Sequence, residues 1–124
     1  MENIEKCDET GLFSQRYSFR IVGIPSGELA YWKRLLKGLY KEPVRTMVSK
    51  DLYVVCVDLV TEDMASLLLD RLKGVHISYS HGVWVSFVSV WAANRMEVPE
   101  YVLKVFSALG GSFDFAFTAV LDEE

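Results

Sequence analysis

The sequence predicts an α/β (α+β) fold, with a single mixed or antiparallel sheet of four to six strands and three helices packed mainly on one face. Three observations lead there. Segments whose apolar residues alternate every second position are interleaved with segments where they recur every three or four. Glycine and proline fall at the boundaries between them. The first and last strand segments are polar on one side, which leaves part of one sheet face to water or to a partner.

The 124 residues suit one domain, since domains commonly run to about 100–150 residues. With 51% hydrophobic and 24% charged residues, the chain can bury a core without disulfide or metal staples. Residues 1–14 are polar and aperiodic and are expected to form a flexible N-terminal arm, leaving 15–121 as the α/β domain.

From Arg16 the strand period appears, with Tyr17, Phe19 and Ile21 on one face and Ser18 and Arg20 on the other. Gly23 to Gly27 ends this strand, and Ser26 is the expected cap of a helix. In that helix Leu29, Trp32, Leu35, Leu36, Leu39 and Tyr40 form the apolar stripe, and Glu42-Pro43 stops it. Residues 44–48 read as a short strand turning at Ser49-Lys50-Asp51 into Leu52–Val60. That run is apolar at nearly every position, which predicts a central strand covered on both faces. Thr61 is the expected N-cap of a second helix, with Glu62 and Asp63 in its first turn, Met64, Leu67, Leu68 and Leu72 on its buried stripe, and Gly74 as its stop. Val75–Ser80 and Val83–Trp91 are expected to pair as a hairpin about a His81-Gly82 turn. Pro99 opens a third helix, with Val102, Val105, Phe106 and Leu109 buried, and Gly110-Gly111 closes it. Phe113, Phe115 and Phe117 then alternate in a last strand, and the tail Asp122-Glu123-Glu124 is solvated.

The two histidines, His76 and His81, have no companion cysteine pair or acid at ligand spacing, so no metal site is expected. Neither phosphate-loop pattern occurs, and the Gly23–Gly27 segment reads as a turn with a helix cap. Cys56 is expected to be buried in an apolar strand, where a thiol reacts poorly, and Cys7 lies in the arm without a histidine nearby in sequence. The two are read as separate thiols in a reducing compartment. Asp58 interrupts an apolar run; it is read as marking the strand's exit and helping to cap the next helix. Of the two aromatic residues flanking the predicted turn, Trp84 is assigned to the core, while Tyr79 is an anchor for a partner. No catalytic residue and no cofactor is expected, and the chain is not read as an enzyme.

A net charge of −4 argues against direct binding to nucleic acid or to an anionic membrane. No stretch approaches the roughly 18 apolar residues of a membrane span. The opening MENIEKCDETG lacks the apolar run of a secretory signal, so the cytoplasm is the expected location.

The C-terminal third, VWVSFVSVWAANRMEVPEYVLKVFSALGGSFDFAF, resembles the end of a group of small, uncharacterised bacterial α/β domains. In size, acidity and scarcity of catalytic groups the whole chain resembles an immunity protein of a bacterial contact-dependent toxin system. That resemblance implies a protein that binds and neutralises a cognate toxin domain, basic and often a nuclease. Asp51, Glu62, Asp63, Asp70, Tyr79 and His81 are the residues expected to meet it. The alternative is a small-molecule-binding or regulatory domain with a pocket between sheet and helices near Asp58. A homodimer through the less covered sheet face is compatible with either.

Overall fold

The computed structural model describes residues 12–46, 51–89 and 97–119. They form one mixed five-stranded sheet with three α-helices. In chain order these are β1 (Leu12–Pro25), a 3-10 turn (Ser26–Glu28), α1 (Leu29–Leu35), β2 (Tyr40–Arg45), β3 (Leu52–Asp58), α2 (Glu62–Arg71), β4 (Ser80–Ser89), α3 (Glu100–Leu109) and β5 (Ser112–Ala119). The strand order is β2-β3-β1-β4-β5; β4 and β5 are parallel and the other neighbours antiparallel. β1 begins at Leu12, inside the expected arm; residues 1–11 lie outside the described residues, as do 47–50, 90–96 with Trp91, and the tail at 120–124.

Alternation decides which face is buried. Phe19 and Ile21 of β1, Val55 and Val57 of β3, and Val83, Val85 and Phe87 of β4 point to the helices and are at most 1% exposed. Removing each such side chain from water contributes about 1.5–3 kcal/mol. Trp32 of α1, Ala65 and Leu68 of α2, and Val102 and Val105 of α3 close over them. Beyond Ile21 the strand period breaks: Gly23, at φ 90°, is the extra residue of a bulge between Val22 and Ile24. The bulge returns Ile24, an even-numbered residue, to the core face, where it is fully buried.

Several expectations need correction. α1 stops at Leu35 instead of running to Glu42-Pro43, because Tyr40 and Lys41 pair with Val57 and Cys56 as β2. Leu36 and Leu39 are buried in the intervening turn, so their spacing fits a helix without requiring one. Pro43 falls at the bulge between Lys41 and Val44 on this edge strand, where its missing N–H costs no ladder bond. The turn beginning at Ser26 has no side-chain cap, and the Ser26 N–H instead donates to the Asp51 carbonyl at 3.1 Å. β3 is interior but covered on one face only; Cys56 is half-buried on the other face. In α2 it is Ala65 that is buried, while Leu67 is 45% exposed.

The expected hairpin is absent. Residues 75–78 form no strand, and β4 runs unbroken through His81-Gly82. The reason is parity: His81, Val83, Val85 and Phe87 share one face continuously, while Gly82 is paired with Arg20 on one side and Ser112 on the other.

The second helix starts as its sequence predicts. The Thr61 hydroxyl accepts the Met64 N–H at 3.2 Å, with Glu62 and Asp63 in the first turn. At its other end Arg71 donates to the carbonyls of Leu35 (3.1 Å) and Lys37 (2.9 Å), satisfying acceptors left open where α1 ends. α3 begins after Pro99 and stops at Gly110, and it carries the chain from β4 to the parallel β5. No helix of the described residues is long and apolar enough to cross a membrane.

Candidate functional site

All three helices lie on one side, so the opposite face of the sheet carries no helix among the described residues. Its composition follows from register. One row across the strands is Asp58, Ser18, Trp84 and Asp114; the next is Lys41, Cys56, Arg20, Gly82 and Ser112. Arg16 lies opposite Ser86, and Val44, Val54 and Val22 form an apolar corner.

At the centre the Arg20 guanidinium sits over the Trp84 ring, 4.5 Å from its centroid. This cation–π contact contributes about 0.5–2 kcal/mol, depending on how dry it is. Arg20 Nε also donates to Ser18 Oγ at 3.2 Å, and Ser18 is 5% exposed despite its position on the open face. Lys41 Nζ meets Asp58 Oδ2 at 3.0 Å. Both partners are partly solvated, so this pair contributes at most about 1 kcal/mol. Asp58 therefore serves a cross-strand ion pair on the open face and does not cap α2, a role Thr61 fills. Trp84 likewise lies outside the helix-covered core to which its sequence context assigned it.

Two shallow grooves run along this face. One, of about 200 Å³, is lined by Arg16, Ser18, Arg20, Lys41, Asp58 and Trp84 among others. The second, of about 350 Å³, continues from Arg20 and Lys41 onto Val44, Val54 and Cys56. Val44 is 65% exposed and Val22 38%. The result is a cationic, aromatic centre beside an apolar strip. Such a surface offers guanidinium and ammonium donors to an anionic group and apolar area to whatever adjoins it.

The six residues expected to meet a partner do not gather on this face. Glu62 and Asp63 are exposed in the first turn of α2, and Asp70 is exposed near its other end, about 10 Å along the helix axis. Asp51 immediately precedes β3, and its carbonyl receives Ser26. The Tyr79 hydroxyl donates to the Glu28 carboxylate, and its ring packs at 6.3 Å against Trp32. This hydrogen bond first, then burial and the Glu28 charge, push the Tyr79 phenol above its ordinary pKa. His81 places Nδ1 2.9 Å from the Tyr79 carbonyl and Nε2 3.0 Å from the Leu109 carbonyl, tying the start of β4 to the end of α3.

A cavity of about 690 Å³ opens where α2 and α3 end, with Leu72, Val75, His76, His81 and Leu109 in its wall. Its wall comes from the ends of α2 and α3, the segment 74–77 and the start of β4, and Asp58, near which the alternative reading places a pocket, is on the open face instead. Among the described residues no group of three or more His, Cys, Asp or Glu side chains converges as metal ligands would.

Part of the open-face cluster was legible in advance. The alternation of β1 already sets Ser18 and Arg20 opposite Phe19. Lys41 was hidden by the helical stripe that enclosed it, and Trp84 by the false turn beside it. A search of family models, of curated proteins and of solved structures finds no match to this chain.

Proposed function

We propose that the protein is a binding module for one protein partner, and that the partner covers the open face of the sheet. One observation carries this reading: on a five-stranded face that no helix among the described residues covers, Arg20 of the central strand stacks on Trp84 of its neighbour, beside the exposed Val22 and Val44. Trp and Arg are the residues most enriched among those that dominate interface energies, and they act from the centre of a patch with a polar rim. The resemblance to immunity proteins supplies the finer reading, in which the partner is a bacterial toxin domain held inactive while it is covered. In that case Glu62, Asp63 and Asp70, away from this face, contribute to long-range attraction rather than to contact.

The test is capture on the tagged full chain from its own host, with mass spectrometry of what is retained and a growth assay of the retained protein alone and together with the chain. One stoichiometric partner is expected, toxic alone and harmless with the chain. Trp84→Ala is expected to weaken its capture at least about tenfold, whereas Glu62→Lys with Asp63→Lys leaves the bound complex intact at moderate salt. Capture that survives Trp84→Ala and fails in the α2 variant would move the interface to the helices. Retention of no partner would remove the binding-module reading. The cavity of about 690 Å³ has the size of a small-molecule pocket and favours the second reading, a ligand-binding domain; a rise in melting temperature with a metabolite would then be the positive signal.

A further inference from the structure

We infer that the open face receives an acidic segment of the partner, with a carboxylate held among Arg16, Arg20 and Lys41 and a neighbouring apolar side chain on Val44 and Val54. This rests on the protein-binding reading above and adds the chemistry of the contact. The whole chain carries a net charge of −4, but charge on this face is distributed differently. The groove of about 200 Å³ is lined by three cations and by one acid, Asp58, which already faces Lys41 at 3.0 Å. Arg16 is exposed and pairs with no carboxylate among the described residues. Arg20 is held in place by Trp84 and Ser18, so its guanidinium is preorganised and loses little freedom when an anion arrives. The adjoining groove shares Arg20 and Lys41 and adds Val44, Val54, Cys56 and Glu42, whose carboxylate already faces Lys33 at 3.7 Å. A segment alternating acidic and apolar side chains matches that sequence of surfaces.

A polynucleotide fits less well. Phosphate backbones are bound along unbroken basic tracks, with several rings for base stacking. Here Asp58, Asp114 and Glu42 interrupt the cations, and Phe113 of β5 packs on the helix side against Phe106. Trp84 is the single aromatic ring on the open face among the residues whose side chains are described.

The test uses fluorescence anisotropy at low ionic strength with the full chain and four labelled probes of equal length. These are a Glu/Leu peptide, a Gln/Leu peptide, a Lys/Leu peptide and an oligothymidylate. The Glu/Leu peptide is expected to bind best, with affinity falling as salt is added. Arg16→Gln and Arg20→Gln should each weaken it about fivefold or more, the effect of losing one charge-assisted contact. Asp58→Asn should tighten it about twofold, since Lys41 is then released to the ligand; a misfolded variant would not produce a gain. Equal binding of the Gln/Leu or Lys/Leu peptide, preferential binding of the oligonucleotide, or weakening by Asp58→Asn would each overturn the acidic-segment assignment. A dimer in gel filtration that Arg20→Gln dissolves would overturn it as well, assigning the face to a second copy of the chain. A captured partner still lost with Trp84→Ala would in any of the peptide outcomes leave the binding-module reading standing, so the two failures are distinguishable.

Discussion

Gly111 shows how much a single residue can carry that its neighbours in sequence do not reveal. It lies between α3 and β5 at φ 90°, and a Cβ placed on it would stand 2.1 Å from the His81 carbonyl oxygen. Gly111→Ala therefore meets backbone, not a side chain that can rotate away, and adds the strain of a positive φ. A loss of about 2–4 kcal/mol is expected, read as a shift in the urea midpoint; a loss below about 1 kcal/mol would show that the contact relaxes easily. The Gly-Gly pair was legible as a helix stop. The close approach to His81 was not, because it joins residues 30 apart in sequence. The same holds for Arg20: its place off the apolar face of β1 follows from alternation, while the ring it covers belongs to a strand 64 residues later.

At the scale of elements, periodicity located strands and helices well where one pattern was available and failed where two fitted. Leu36, Leu39 and Tyr40 satisfy a helix stripe, yet the pairing of Tyr40 with Val57 claims the chain for β2. His81-Gly82 resembles a turn, yet strand parity continues through it. Thr61 was read correctly as a cap because capping is local, three residues wide. Arg71 was not, since its acceptors belong to the end of another helix. Arg71→Met keeps much of the stem and removes both hydrogen bonds to Leu35 and Lys37. About 2 kcal/mol of stability should be lost, with faster hydrogen exchange concentrated in α1. An unaltered α1 would mean that packing of Trp32 alone holds that helix.

For the whole molecule, alkaline pH provides a probe of how the parts are joined. Tyr79 links the start of β4 to Glu28 and Trp32, and its phenol is held above the ordinary value of 10.0 by the Glu28 hydrogen bond, then burial and the Glu28 charge. Tyr17 is raised too, by burial first and then by Tyr101. Both pKa values are higher in the folded than in the unfolded chain. Their contribution is therefore fully present below pH 10 and is lost as pH rises through the folded values. Urea midpoints should hold between pH 7 and about 9 as far as these groups are concerned, then fall. Tyr79→Phe should be less stable at neutral pH and fall less steeply above it; parallel curves for the two proteins would show that the Tyr79–Glu28 bond does not stabilise the fold.

The sequence by itself determined the class of the fold, its one-sided helix layer and most of its core, because burial patterns repeat at the fixed periods of helix and strand and are written within a few residues. It also placed Ser18 and Arg20 on the face away from the helices. Strand order, the continuity of β4, the edge position of β2 and the meeting of Arg16, Arg20, Lys41 and Trp84 were decided only by tertiary structure. Net charge argued against an anionic partner, whereas the open face presents its own cations. A sum over the chain carries no information about location, and location is set by pairing between strands distant in sequence.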